Sequence, residues 1–210
     1  MSKILSSKWT KAVLFLLSLV PLAYLVWRAF QGKLTANPIE YITHFTGDWT
    51  IRFLMIVLAV TPLRNLFNRP QLTRFRRMMG LFAYFYGCLH FLVWSVLDKQ
   101  LDPHIMWEDI LKRWYITVGM AALLGMTPLA ITSTAGWVRR LGYKRWQRLH
   151  RIVYGCAVLG VVHYYLLVKS DIRSPVMYGA ILAILLGYRM VVANRKTGSA
   201  PKRMPAPVAR

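Results

Sequence analysis

The chain has 210 residues, with 28 Lys and Arg against 7 Asp and Glu for a net charge of +21, yet 56% of it is hydrophobic. That hydrophobicity excludes disorder, and long apolar runs are foreign to a basic nucleic-acid binder, so no nucleic-acid partner is expected. The combination describes a membrane protein whose charge is confined to its loops, with length for one domain.

Six apolar runs approach the roughly 20 residues that a bilayer-crossing helix needs. They are 12–27, 49–63, 80–97, 114–132, 152–168 and 176–188. The expected fold class is all-α: a polytopic membrane bundle of six transmembrane helices over 12–192, both termini cytoplasmic. A short segment 1–11 precedes the bundle, and a basic tail 193–210 follows it. The tail is Pro- and Ala-rich from Thr197 and reads as disordered. Basic residues precede the first run, as they precede a signal peptide. No small-residue cleavage site follows, however, and Trp27-Arg28 reads as the end of a span. Arg52 interrupts the second run.

The charges between the runs alternate. The N-terminus, the second loop, the fourth loop and the tail hold twenty basic groups and no acid. The other three loops hold seven basic groups and all seven acids, and Arg52 makes up the remaining +1. This is the positive-inside pattern of six crossings. Trp27, Trp49, Trp94, Trp107 and Trp114 fall near the expected outer ends, and Trp9, Trp137 and Trp146 near the inner ends, as an aromatic belt would.

Five histidines carry the chemistry. Ionisable residues inside spans are functional candidates. His90 lies ten residues into the third run, and His163 twelve residues beyond Arg151. These are depths of roughly 15 and 18 Å from the cytoplasmic side. Both runs travel outward, so the two imidazoles meet near the middle of the bilayer. Two neutral histidines at one depth on two helices suit a six-coordinate haem, whose closed ligation favours electron transfer. The alternative is a pair of core histidines hydrogen-bonded to neighbours.

His150 sits at the cytoplasmic edge, thirteen residues before His163. On one ideal helix that spacing turns the two rings about 140° apart. The third-run residue at matching depth is Arg77, suited to a haem propionate or a flavin phosphate rather than to a metal. His44 precedes the second run, where it could touch an outer cofactor edge or a quinone, or do neither. His104 reads as solvated. Arg52 could snorkel or meet a propionate. Cys88 and Cys156 form no haem-attachment motif and read as small core residues.

The segment 131–170, with its W-x-x-L-H-R-x-x-Y entry and a second histidine thirteen residues on, resembles the ferric reductase-like transmembrane superfamily. HFTGDW at 44–49, TPLRNL at 61–66 and RFRRMMGLFAYFYGCLHFLVW at 74–94 narrow the resemblance. They are similar to the bacterial haem-binding membrane subunits of periplasmic methionine sulfoxide reductase. The likeness covers about residues 10–190.

The resemblance implies an inner-membrane subunit that passes electrons to a periplasmic molybdopterin reductase, MsrP, which carries the catalytic site for oxidised methionine. It implies haem b, one or two, and FMN. Electrons would come from the quinone pool or from a cytoplasmic flavin reductase. The metal ligands would fall on His90, His150 and His163. Arg77 stands where the wider superfamily has a fourth histidine. No soluble flavin- or nicotinamide-binding segment is evident, so an external donor is expected. The basic inner face suits anionic membrane lipid, an acidic donor or a flavin phosphate. The acid-containing outer segment 98–113 suits the periplasmic partner. A small solute transporter and a self-contained ferric or quinone reductase are the competing readings.

Overall fold

A computed structural model describes residues 7–198; the ends of the chain, including the expected tail from 199 on, lie outside the described residues. Among the described residues the protein is helical, with no strand. Helix α1 is Lys8–Phe30, α2 Pro38–Leu66, α3 Thr73–Leu92, α4 Pro103–Lys112, α5 Trp114–Ile131, α6 Ala135–Leu141, α7 Tyr143–Leu149, α8 Ile152–Leu167 and α9 Arg173–Gly198. α3 continues into a π-helical turn, Val93–Asp98. Five of these segments are long and apolar enough to cross a membrane: α1, α2, α3 with its π-turn, α5 and α9. α8 has 16 residues, about 24 Å of helix against a hydrocarbon core of about 30 Å. α9 runs to Gly198, past the boundary at 192 where the tail was expected to begin.

Local chemistry sets the helix ends. The Ser7 hydroxyl accepts from the Trp9 N–H at the start of α1. Asn37 caps α2 through the Glu40 N–H, with Pro38 in the first turn, where a missing N–H costs nothing. α2 therefore begins well before the apolar run at 49. His44 and Asp48 are helical rather than loop residues. Gly142, at φ 73°, makes the corner between the short helices α6 and α7, a conformation that side chains with a Cβ resist.

α2 packs along α3, and α5 along α8. These two pairs form the centre, with α9 laid against α8 and α2 and α1 against α3. In lipid, helices associate through close packing rather than through a hydrophobic drive, and small residues at the contacts allow it. Ala83 on α3 and Ala157 on α8 are fully buried. A Cβ on Gly125 of α5 would stand 2.8 Å from the Cys156 sulfur of α8. The core is aromatic between α2 and α3, where Phe53 stacks on Tyr86 at 5.4 Å and on Phe82 at 5.7 Å. Large apolar side chains such as Leu16, Leu124 and Ile184 face outward, as lipid contact requires. Of the expected tryptophan belt, Trp9, Trp27, Trp107 and Trp114 are exposed. Trp49 instead packs inside against Phe53 and Tyr86, and Trp146 lies on the His150 ring.

Proline interrupts three membrane helices, and at each a neighbour supplies polar contact. Beside Pro21, the Tyr86 hydroxyl donates to the Ser18 carbonyl at 2.9 Å and accepts from the Leu22 N–H at 3.2 Å, so it stands inside the ladder of α1. Beside Pro128, the Tyr84 hydroxyl reaches the Thr127 hydroxyl at 3.3 Å. Pro62 has no N–H for the Leu58 carbonyl four residues back. Arg189 of α9 fills that role: its Nη2 donates to the Leu58 carbonyl at 2.8 Å and to the Thr61 hydroxyl at 3.2 Å, and its Nη1 to the Tyr154 hydroxyl. One guanidinium thus joins α2, α8 and α9.

Arg189→Leu strands the Leu58 carbonyl and should cost about 1–3 kcal/mol. Pro62→Ala returns an N–H to that carbonyl, so the double variant should lose less than the two single variants added together, measured by thermal unfolding in detergent.

Candidate functional site

His90 on α3 and His163 on α8 face each other inside the central four helices, with ring centroids 6.0 Å apart and planes 82° apart. Each ring is fixed the same way. Nδ1 of His90 donates to the Thr43 carbonyl of α2 at 2.9 Å, and Nδ1 of His163 to the Tyr115 carbonyl of α5 at 2.6 Å. A carbonyl can only accept, so Nδ1 carries the proton, and a neutral ring keeps its lone pair on Nε2. Neither Nε2 takes a hydrogen bond among the described residues. This carbonyl support of the far nitrogen is how proteins orient an imidazole that ligates a metal.

One helical turn beyond each supporting carbonyl stands a glycine. A Cβ on Gly47 would meet the His90 ring at 3.1 Å, and a Cβ on Gly119 would meet the His163 ring at 2.7 Å. Thr43 and Gly47 on α2 therefore cradle one imidazole as Tyr115 and Gly119 on α5 cradle the other. Sequence reasoning missed both glycines. The signal was present in the four-residue spacing of Thr43 to Gly47 and of Tyr115 to Gly119, but only the fold says which histidine each serves.

Both histidines line one cavity, together with His44, Asp48, Trp94 and Cys156. Metal–imidazole bonds of about 2 Å on each side of one ion would set two ring centroids about 6 Å apart, which is the separation present. No cluster of three His, Cys, Asp or Glu suited to a bare ion exists among the described residues. Two opposed imidazoles suit a metal already held in a planar macrocycle, and the largely apolar cavity between them suits its faces.

A second cavity opens beneath the first on the side of the basic loops, and Leu54 and Met126 line both. Arg76, Arg77, Arg151 and His150 line it, with Tyr84, Trp146 and Tyr154. Among the described residues no carboxylate lines it. His150 ends α7, so a turn separates it from α8, and the single-helix phase expected between His150 and His163 does not apply. The Thr132 hydroxyl donates to the Pro128 carbonyl and receives the Nε2–H of His150 at 3.0 Å. The His150 ring lies 4.0 Å from the Trp146 ring. Burial first, then Arg76 and Arg77, hold its pKa below the usual histidine range. Neither His90 nor His163 lines this cavity, and no other histidine faces His150 there.

The outer edge is polar. Arg52 donates to the Tyr178 hydroxyl at 3.1 Å, pairs with Asp48 at 3.5 Å and lies over the Trp49 ring. It is therefore turned toward α9 and does not line the histidine cavity. His44 does line it, and its Nε2 stands 3.8 Å from Glu40.

Residues 46–161 match the family described as the ferric reductase-like transmembrane component. The chain is 51% identical over 193 residues to the protein-methionine-sulfoxide reductase heme-binding subunit MsrQ of Rhodospirillum rubrum, covering 91% of this chain and 93% of that one. It is 46% identical over 187 residues to the MsrQ of Caulobacter vibrioides, covering 89% of each chain. It is also 46% identical over 192 residues to that of Bordetella pertussis, covering 90% and 93%. The chain belongs to the MsrQ family. With its apolar helices, membership makes it a multi-pass inner-membrane protein.

The glycine cradles give a direct test on this MsrQ-family chain. Gly119→Ala should destabilise the fold by about 1–3 kcal/mol through overpacking. Gly155→Ala, where nothing lies within 4 Å, should be neutral or stabilising by up to about 1 kcal/mol. Thermal unfolding of the two variants side by side checks the contrast.

Proposed function

We propose that the protein is the haem b subunit of a methionine sulfoxide reductase system, carrying electrons across the inner membrane to a periplasmic catalytic partner of the MsrP type. The observation that carries this reading is the pair of imidazoles 6.0 Å apart, each with Nδ1 fixed on a carbonyl. A bound haem would supply a one-electron redox centre. His90 and His163 would hold its iron through Nε2, a two-histidine ligation that suits electron transfer. Gly47 and Gly119 set how closely the rings approach their supporting helices. The Thr43 and Tyr115 carbonyls hold the proton on Nδ1 of each ring and fix how it is turned.

The inner cavity is the second station in this reading. Arg76, Arg77 and Arg151 would hold the phosphate of FMN, and the rings of Tyr84, Tyr154 and Trp146 would flank a planar group. His150, already engaged with Thr132, would line this station rather than ligate a second iron without an opposing histidine. Electrons would enter from a quinol or from a cytoplasmic flavin reductase, and the basic inner loops favour an acidic donor or anionic lipid. His44 and Arg52 would border the outer edge of the haem. The charge alternation supports six crossings with α8 among them and both termini cytoplasmic. Segments 1–11, 12–192 and 193–210 would then be N-terminus, membrane domain and tail. The partner would dock on segment 98–113, and chemistry on methionine sulfoxide would take place there.

His163→Ala and His90→Ala should each remove the reduced-minus-oxidised haem spectrum and electron delivery to the partner. An unchanged spectrum in either variant overturns the ligation. Arg77→Gln should lower bound flavin, measured by release and fluorescence, while the haem spectrum stays.

A further inference from the structure

The two histidine supports differ in how firmly their own helices hold them. Thr43, whose carbonyl fixes His90, lies in the second turn of α2, a helix capped by Asn37. Tyr115, whose carbonyl fixes His163, is the second residue of α5, and no side chain caps that helix. Helix ends fray, because the first turn lacks part of its intrahelical bonding. The carbonyl that aims His163 therefore sits on the least secured turn of its helix, and only a contact from outside that helix can pin it.

A network of charge supplies the contact. Arg113, the residue before α5, reaches both ways: its Nε lies 3.2 Å from Asp109, and its Nη1 donates to the Tyr115 hydroxyl at 3.0 Å. Lys99 anchors Asp109 in turn at 2.6 Å and also pairs with Asp98 at 3.1 Å. An open surface ion pair is worth little, but the Lys99 and Asp109 side chains are each only 13% exposed. Lys99 follows the π-turn that ends α3, so the network joins the end of the segment bearing His90 to the start of the helix that supports His163. The Thr117 hydroxyl donates to the Ile110 carbonyl, a second tie between α4 and the first turn of α5. Tyr115 is where the network meets the cavity: it lines the wall, and its ring stands 6.2 Å from the His163 ring.

We propose that Arg113, braced by Asp109, is a positioning residue for His163: it pins the first turn of α5 through the Tyr115 hydroxyl and so sets where the Tyr115 carbonyl meets Nδ1. The clasp belongs to the chain itself, and its effect on a haem rests on the ligation proposed for His163. A carbonyl on Nδ1–H makes the far nitrogen of the ring a more basic ligand, which favours ferric iron, so loosening the carbonyl raises the midpoint potential. Lysine cannot stand in for Arg113, because one ammonium lacks the fork that reaches Asp109 and Tyr115 together.

The test uses the full chain in lipid nanodiscs, native and as Arg113→Gln, Arg113→Lys, Tyr115→Phe and Lys112→Gln, each purified as a single size-exclusion peak. Lys112→Gln breaks an exposed pair with Glu108 on the same helix and is the control. Amide hydrogen exchange over 115–118 should run roughly three- to tenfold faster in the first three variants, the worth of one hydrogen bond. It should stay native over 43–47 and throughout the control. In the same three variants the haem midpoint potential should rise and the low-spin ferric resonance should shift, while the control keeps both. Unchanged exchange over 115–118 overturns the proposal. Faster exchange with native potential and resonance in every variant also overturns it, and leaves Arg113 a tie for the helix end alone. Tyr115→Phe keeps the ring, the carbonyl and every charge, so it decides the matter where a charge variant does not fold. A native chain that carries no haem overturns the ligation of His163 rather than the clasp, which the exchange contrast then decides.

Discussion

Inside a bilayer a polar group has no water to fall back on, and each freed backbone group must find its partner in the protein. That constraint explains the polar contacts of this bundle. Prolines open the ladders of α1 and α2, and a side chain from another helix closes each gap: Tyr86 at α1 and Arg189 at α2. The cross-links that hold helices apart or together are therefore the same bonds that repair the breaks. Arg189 shows the economy of this: one cation, with no acid beside it, satisfies a stranded carbonyl and two hydroxyls on two further helices.

The same constraint orients the histidines. A buried imidazole must place its N–H on an acceptor, and the acceptors here are helix carbonyls already in use within their own helix. Reaching them requires the ring to lie against the helix barrel. Gly47 and Gly119 make that possible by leaving out the Cβ that would stand in the way. Thus a backbone carbonyl and a glycine one turn later fix the tautomer and the ring position together. Each side of the site uses a helix that bears neither histidine, α2 or α5, to aim a histidine on its neighbour, α3 or α8. The close packing of α2 with α3 and of α5 with α8 is what the site geometry depends on.

Much of this was legible in the chain, for physical reasons. Loop charge is set by orientation in the membrane, so the alternation of basic and acidic loops carries a topology expectation that needs no knowledge of packing. Depth is linear in residue number, so the meeting of His90 and His163 could be read from their distance to the charged boundaries. What depends on rotation about helix axes was not legible. Trp49 lies near a span end, where an interfacial indole belongs, yet it faces Phe53 and Tyr86 inside. Asn37 and Pro38 begin α2 a full three turns before its apolar run, because capping chemistry rather than hydropathy decides where a helix starts. His150 and His163 looked like one helix until the turn at His150 and Arg151 separated them. The glycine cradles combine both difficulties, since they need a register between two helices that no single segment records.

The distribution of charge across the two cavities bears on the direction of transfer under the proposed function. The inner cavity gathers Arg76, Arg77 and Arg151 with no carboxylate, and Arg189 stands behind Tyr154 at its wall. Cations stabilise the electron-rich state of whatever redox group they surround, so this cavity holds an electron more readily than a neutral one. The histidine cavity has no arginine on its wall, and its one carboxylate, Asp48, is paired with Arg52, so it lacks that stabilisation. Local charge alone would therefore slow outward flow. The membrane potential opposes that bias, since an electron leaving a negative cytoplasm moves downhill by about 2.3 kcal/mol per 100 mV for a full crossing. A station near the midplane divides that drop between two steps. Arginines that retain an anionic cofactor at the inner face are thus compatible with outward transfer because the field across the membrane, and not the protein alone, supplies the slope.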